Sequence, residues 1–257
     1  MPIAGQSSAT AAMARNAQFP WDEFAADAYH EHNYDTLRED DAEMLAMVAS
    51  WFDTATATAP ARGRLSGLDV GAGPNLYPSL SMLPHCDKIT LREYSASNAA
   101  WLRTRTAHLD PSWRPFWDVV SPAGDHGDFE SARARLAERA LVDHGSVFDL
   151  PEARWDLGTM FFVAESISQD PAEFAAATEA FVRALRSGSP FAAAFMEGSV
   201  GYEVGGIAFP AISVGEPEIS GCLEAVATDL KVQRVQVRPA PLRPGYTGYV
   251  VAIGRAK

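Results

Sequence analysis

The strongest constraint on the fold of this 257-residue chain is a regular alternation of short apolar segments with segments of helical spacing. Strands that alternate with helices form parallel βαβ units, so the pattern predicts a doubly wound α/β fold. The last two predicted strands have no helix between them and should form an antiparallel edge hairpin. The predicted seven-stranded, mostly parallel sheet uses segments 65–70, 88–92, 142–148, 155–163, 191–196, 232–237 and 249–253.

The domain organisation that we predict is a single domain at 19–257, preceded by a disordered tail at 1–18 that is small and polar. Residues 19–60 show helical spacing before the first strand. The interruptions at 112–127 and 198–215 are typical of elaborated loops rather than linkers. Length alone permits one large domain or two small ones, and the continuous alternation favours one.

Charge and cysteine content exclude several classes of function. The chain carries 21 Lys+Arg and 33 Asp+Glu, a net charge of −12, with no basic patch for nucleic acid. No apolar run is long enough to cross a membrane. Cys86 and Cys222 form no zinc or redox motif, and His30 and His32 are wrongly spaced for a metal. We therefore expect a cytoplasmic protein without a bound metal.

A glycine-containing turn follows the first predicted strand, where ligands bind in open α/β sheets. Gly71 and Gly73 would let a ligand approach the backbone, but Leu76 stands where a dinucleotide fingerprint has its third glycine. Glu93 ends the second strand and can accept hydrogen bonds from both hydroxyls of a ribose. Together these features favour a nucleoside cofactor with a free carboxylate, S-adenosylmethionine (SAM).

The segments Leu68-Asp-Val-Gly-Ala-Gly-Pro-Asn-Leu-Tyr77 and Ile89-Thr-Leu-Arg-Glu-Tyr-Ser-Ala-Ser-Asn98 resemble those of a known family. This family is the class I methyltransferases grouped around the nicotinamide, phenylethanolamine and indolethylamine N-methyltransferases. The resemblance implies a Rossmann-like fold that binds SAM. The cofactor-binding residues that we predict in the sheet region are Asp69, Gly71, Ala72, Gly73, Asn75, Tyr77, Glu93, Tyr94, Asn98, Ser146, Val147 and Phe162.

The resemblance also extends to the parts of the chain on either side of these motifs. Tyr29 and Tyr34 match the spacing of the family's N-terminal helical lid, here 19–60, and should close over the cofactor. Glu165 matches a family glutamate near the substrate amine, so it is predicted to hold the substrate and receive a proton. Tyr202 is a candidate for the substrate wall. Glu165 and Tyr202 are thus the predicted catalytic residues.

The predicted function is SAM-dependent N-methylation of a small amine or nitrogen heterocycle, by a monomer or homodimer. Two alternatives remain open at this point. The same fold could methylate oxygen or sulfur in a small molecule, because fold does not determine the acceptor. A non-catalytic SAM-binding partner protein would keep the glycine turn but need no acid facing the methyl group.

Overall fold

The structure is a computed structural model that describes residues 14–57, 65–242 and 245–257. These residues form nine strands and eight α-helices. The strands are β1 (Leu65–Val70), β2 (Cys86–Glu93), β3 (Ala140–His144), β4 (Leu157–Phe161), β5 (Pro190–Glu197), β6 (Tyr202–Val204), β7 (Ile207–Phe209), β8 (Ala227–Gln236) and β9 (Gly248–Ala256). The helices are α1 (Ala26–Tyr34), α2 (Glu39–Thr56), α3 (Tyr77–Met82), α4 (Ala96–Ala107), α5 (Arg114–Val120), α6 (Phe129–Arg139), α7 (Pro171–Arg183) and α8 (Glu216–Glu224).

Seven strands form one sheet in the order β3-β2-β1-β4-β5-β9-β8. The pairs among β1 to β5 are parallel, whereas β9 runs antiparallel to both β5 and β8. The predicted doubly wound, mostly parallel seven-stranded sheet with an antiparallel edge hairpin is therefore confirmed. The strand order reverses between β1 and β4, and this position is where open α/β sheets bind their ligands.

Two apolar cores cover the two faces of the sheet. On one face, side chains of α2, α3, α5 and α6 pack against β2, β4 and β9; Phe52 and Trp117 are among those fully buried. On the other face, α7 and α8 pack on β1, β4 and β5 through Phe181 and Leu223. A sheet buried on both faces has near-continuous apolar strands, which explains why the sequence of β4 and β5 does not alternate.

Three parts of the predicted secondary structure differ from the observed one. The apolar spacing at Ile219, Leu223, Val226 and Leu230 predicts a helix at 216–229, but the observed helix ends at Glu224, because Leu230 and Val232 belong to β8 and pack along the sheet edge. The loop expected at 112–127 contains α5, whose Phe116 and Trp117 are buried. The loop expected at 198–215 contains the small β6–β7 hairpin.

The N-terminal region forms the expected helical layer at α1 and α2, but the predicted tail is too long. Asn16–Gln18 is a turn of 3₁₀-helix, and Asn16 is buried. Residues 1–13 of that tail, and the predicted end of the lid at residue 60, lie outside the described residues. Helix α1 is held on α4, because Asp27 accepts hydrogen bonds from Trp101 (2.7 Å) and Arg105 (2.8 Å).

None of the helices in the described ranges combines the length and the apolar character needed to cross a bilayer.

Candidate active site

A crevice of about 780 Å³, partly open to solvent, lies at the carboxyl ends of β1, β2 and β4. Helix α1 and the segment before it cover one side. The lining combines polar groups at the glycine turn with aromatic groups under the lid: Asn16, Trp21, Phe24, Tyr29, Tyr34, Gly71, Ala72, Gly73, Asn75, Glu93, Tyr94, Asn98, Ser146, Val147, Phe161, Phe162, Val163, Ser166, Ile167 and Tyr202 among others.

The turn after β1 depends on two glycines with left-handed backbone angles, φ 61° at Gly71 and 47° at Gly73. The amide of Gly71 donates a hydrogen bond to the carbonyl of Arg92 at 2.7 Å, which fixes the turn on β2. A Cβ at Gly71 would lie 2.5 Å from Val163, so this position is sterically closed to larger residues. At Gly73, a Cβ would approach no atom closer than 3.7 Å, because the residue faces the crevice.

Glu93 is the buried acid at the centre of the crevice. Its Oε2 accepts a hydrogen bond from the amide of Gly73 at 2.9 Å, and its Oε1 accepts one from the amide of Ser95 at 2.8 Å. Burial raises the pKa of Glu93, and these backbone hydrogen bonds oppose the rise. The side chain of Asn98 and the amide of Tyr94 also form hydrogen bonds with this carboxylate and favour its charged form.

Two buried amides in the lining have unused hydrogen-bonding atoms. Asn75 Nδ2 and Asn98 Oδ1 have no hydrogen-bond partner among the described residues. Asn75 is positioned by its own Oδ1, which accepts from the amide of Tyr77 at 3.3 Å. Unsatisfied buried polar atoms are costly, so a polar ligand fits here better than an apolar one. The donor on Asn75 suits a carboxylate, and the acceptor on Asn98 suits a hydroxyl or amino group.

The third strand contributes the far end of the crevice. Ser146 and Val147 line it after β3, and Tyr94 lies at its mouth, 41 % exposed. The side chain of Arg92 forms an ion pair with Asp143 at 2.6 Å and donates to the carbonyl of Ser146 at 3.2 Å. These contacts hold the guanidinium of Arg92 against β3 and the turn that follows β3.

An aromatic chamber under the lid forms the other end of the crevice; we define it by Phe24, Tyr29, Tyr34, Phe162 and Tyr202. The rings of Tyr29 and Tyr34 lie 5.9 Å apart, and those of Tyr29 and Tyr202 lie 6.4 Å apart. Phe162 has a left-handed φ of 62°, and its amide donates to the carbonyl of Ala194 at 2.7 Å. Such strain is found at ligand sites.

Two predicted cofactor residues do not line the crevice. Asp69 lies beneath it, where it accepts hydrogen bonds from Ser79 at 2.7 Å and Thr159 at 2.8 Å. Tyr77 is fully buried, and its hydroxyl donates to Asp41 at 3.2 Å. Their direct contact with a cofactor stays a prediction; in this structure Asp69 joins β1 to α3 and β4, and Tyr77 joins the turn to the lid.

The structure also does not bring Glu165 into the lining of the crevice. Glu165 is fully buried, and its Oε1 accepts from the amide of Met196 at 2.9 Å. Its carbonyl accepts from the amide of Ile212 at 2.8 Å. The carboxylate thus ties the loop after β4 to β5, because it satisfies a backbone donor there. The predicted contact of Glu165 with the substrate amine therefore stays a prediction.

Tyr202, the other predicted catalytic residue, does line the chamber, and its hydroxyl donates to the carbonyl of Ser166 at 3.4 Å. The sequence interpretation missed Asn16 and Trp21, which also line the crevice. For Trp21, the aromatic residues around it were the closest sequence signal of a ligand site. Asn16 had no such signal, because it stands in a segment whose composition is typical of a tail.

The doubly wound sheet, the glycine turn with its buried acid and the lid define a class I methyltransferase that uses SAM. The chain belongs to the NNMT/PNMT/TEMT family, whose model matches residues 13–247. It is 27 % identical to phenylethanolamine N-methyltransferase from Sus scrofa over 242 residues, which cover 86 % of this chain and 83 % of that protein. It is 26 % identical to the Rattus norvegicus enzyme of the same name, with the same coverage. The chain is therefore a SAM-dependent N-methyltransferase.

Solved structures show the same fold at low sequence identity. One is 1,6-didemethyltoxoflavin-N1-methyltransferase from Burkholderia thailandensis, with TM-score 0.50, 18 % identity, and coverage of 84 % of this chain and 80 % of that chain. Another is the N-methyltransferase NodS from Bradyrhizobium japonicum WM9, with TM-score 0.51, 12 % identity, and coverage of 84 % and 96 %.

Proposed function

We propose that the methyl acceptor is a small, flat molecule whose reacting nitrogen is uncharged at neutral pH, as in a nitrogen heterocycle or an aryl amine. The observation that carries this proposal is the composition of the crevice. Within the described ranges its lining contains a single carboxylate, Glu93, which lies at the glycine turn, whereas the chamber under the lid is aromatic. The residues outside those ranges include no Asp, Glu or His.

The charge of the acceptor follows from this composition. SAM supplies an electrophilic methyl group on a sulfonium, so the acceptor nitrogen needs a free lone pair. An alkyl amine has a pKa near that of Lys, about 10.4, and is mostly protonated at neutral pH. A cation that enters the chamber would lose its hydration without a carboxylate partner. A neutral nitrogen avoids this cost and needs no base before it reacts.

The chamber residues support alignment rather than proton transfer. Alignment alone contributes up to ~7–11 kcal/mol to such reactions in favourable cases. Tyr29 and Tyr34 would close over the cofactor, and the ring of Tyr34 packs edge-on against Tyr77 at 5.7 Å. Tyr202 would form the acceptor wall, since its ring stacks on Phe209 at 5.6 Å.

For the cofactor, we propose that Glu93 binds the ribose hydroxyls while Gly71, Ala72, Gly73 and Asn75 receive the methionyl end. Backbone amides at a glycine turn favour a carboxylate. Tyr94, Asn98, Ser146 and Val147 would contact the adenosine. The two unsatisfied amide atoms described above support this assignment, since a bound nucleoside with an amino-acid group provides polar partners for both.

The proposal is tested by incubating the protein with methyl-labelled SAM and five acceptor sets: heterocycles, aryl amines, alkyl amines, phenols and thiols. We expect label on the heterocycle or aryl amine nitrogen, with slower transfer to alkyl amines. Faster transfer to alkyl amines would contradict the uncharged acceptor. Label on phenols or thiols alone would favour an O- or S-methyltransferase, and no label with intact cofactor binding would favour a non-catalytic protein.

We also propose that the protein acts in the cytoplasm, as a monomer or homodimer, on a small molecule rather than on nucleic acid. Cys86 and Cys222 are both free, which suits a reducing compartment. The net charge of −12 disfavours a phosphate backbone. Light scattering at several concentrations would measure the oligomeric state, and a mass above that of a dimer would contradict this part.

A further inference from the structure

The segment before the lid is fastened to the start of α7. The carbonyl of Ala14 accepts from the amide of Gln169 at 3.0 Å, and Arg15 pairs with Asp170 at 3.2 Å. The amide of Asn16 donates to the carboxylate of Glu173 at 2.8 Å. Three successive residues are thus bound to the segment 169–173, which leads into α7 more than 150 positions further along the chain, and these bonds fix Asn16 at the crevice.

Asn16 is 6 % exposed and lines the crevice. Both of its backbone polar groups are satisfied, since its carbonyl accepts from the indole of Trp21 at 2.8 Å. Its carboxamide, in contrast, forms no hydrogen bond with any residue in the described part of the chain. A primary amide offers two donors and one acceptor. The backbone therefore holds Asn16 in place, and its side chain is left available to a ligand.

The contacts of Asn16 connect it with the acceptor side of the crevice. Trp21, which bonds to it, stacks on Phe209 at 5.1 Å, and Phe209 stacks on Tyr202 of the aromatic chamber. The hydroxyl of Tyr202 in turn reaches the carbonyl of Ser166. The hydrogen bonds of Glu93, by comparison, run to the amides of Gly73 and Ser95, on the cofactor side.

We propose that Asn16 is a specificity-determining residue whose carboxamide forms hydrogen bonds with a neutral polar substituent, such as an amide or hydroxyl, on the acceptor ring. This inference rests on the proposed function. A neutral amide suits a neutral substituent, because it supplies no charge to pair with an ionised one. A site built to bond such a group discriminates strongly against the analogue that lacks it.

The test compares acceptors that differ by one polar group: pyridine against pyridine carboxamides, and aniline against aminobenzamides. Asn16→Ala and the similarly sized Asn16→Leu keep both backbone hydrogen bonds, and Glu23→Ala is the matched control, at an exposed position of the same region that does not line the crevice. We expect either Asn16 variant to lower kcat/KM for the substituted acceptors by about 10-fold or more. The unsubstituted acceptors and the KM for SAM should change by less than about 2-fold, and Glu23→Ala should change none of these values.

An equal effect on substituted and unsubstituted acceptors would overturn the assignment, as would a raised KM for SAM with unchanged acceptor preference. Both results leave the proposed function standing, because the wild type would still methylate nitrogen. If the wild type methylates no nitrogen acceptor at all, the proposed function is wrong and this inference falls with it.

Discussion

The carboxylate of Glu93 accepts a hydrogen bond from the amide of Gly73, 2.9 Å away and 20 residues earlier in the chain. This bond joins the acid assigned to the ribose with the turn assigned to the methionyl group. The two parts of the cofactor site are therefore built as one unit before any ligand binds. Preorganisation of this kind lowers the cost of ordering the site on binding.

The first prediction concerns Gly71, which has a left-handed φ and faces Val163. Gly71→Ala should lower the free energy of unfolding by about 2–4 kcal/mol, because the methyl group adds backbone strain and overpacks the contact with Val163. Urea unfolding followed by circular dichroism measures the change. The matched control is Gly221→Ala on α8, where a Cβ meets no atom within 4 Å. That change should stabilise by about 0.5–1 kcal/mol. Equal effects at both positions would show that the turn is not constrained as described.

The second prediction concerns the pH dependence of stability. Burial raises the pKa of Asp69 from 3.8 to about 7, and hydrogen bonds from Ser79 and Thr159 only partly oppose this. Because the folded state binds the proton more tightly, this stabilisation is fully present below pH 3.8 and is lost as pH rises through 7. Asp41 is shifted in the same direction, to about 7, also chiefly by burial.

Asp69→Asn should therefore reduce the fall in unfolding free energy between pH 4 and pH 7, by up to ~4 kcal/mol. Denaturant titrations at one-unit pH steps provide the measurement. Asp41 still contributes in the variant, so some slope should remain. Parallel stability curves for variant and wild type would show that Asp69 is not protonated in the folded protein.

The third prediction concerns Glu165, which bonds to the amide of Met196 and lies outside the crevice lining. Glu165→Gln keeps a side-chain oxygen for this amide, so kcat and the acceptor KM should stay within about 3-fold of the wild type. Glu165→Ala leaves the buried amide without its acceptor and should cost about 1–3 kcal/mol of stability. Steady-state kinetics and thermal unfolding separate the two effects. Loss of turnover in a stable Glu165→Gln protein would show that Glu165 takes part in the reaction.

Much of the fold could be predicted because its signals are local. The strand at 65–70 was predicted with its observed bounds. Serine is a favoured helix cap, and Ser95 caps α4 by accepting from the amide of Asn98. The residual errors come from long-range packing. Leu230 continues a helical pattern in the sequence, but its neighbours Thr228 and Lys231 pair with β9, so Leu230 lies in the irregularity between them within strand β8. Helix α5 is short, and its apolar residues show no clear helical periodicity in the sequence.

The site was predicted less evenly than the fold. Gly71, Gly73 and Glu93 could be found because the turn and the strand end determine where their groups lie. Asp69 lies on β1 just before the glycine turn, but its side chain accepts hydrogen bonds from Ser79 of α3 and Thr159 of β4 and does not line the crevice. Asn16 could not be found, because its burial depends on Glu173 and no local pattern records that contact.

The most direct test of the central claim is calorimetric titration with S-adenosylhomocysteine, which lacks the methyl group. Each hydrogen bond to a charged group contributes about 1.5–3 kcal/mol. Glu93→Ala should therefore weaken binding by at least about 30-fold, whereas Glu152→Ala, at an exposed acid outside the crevice, should bind like the wild type. Equal affinities for the wild type and Glu93→Ala would contradict the assignment of Glu93 to the ribose, and with it the account of this crevice as the cofactor site.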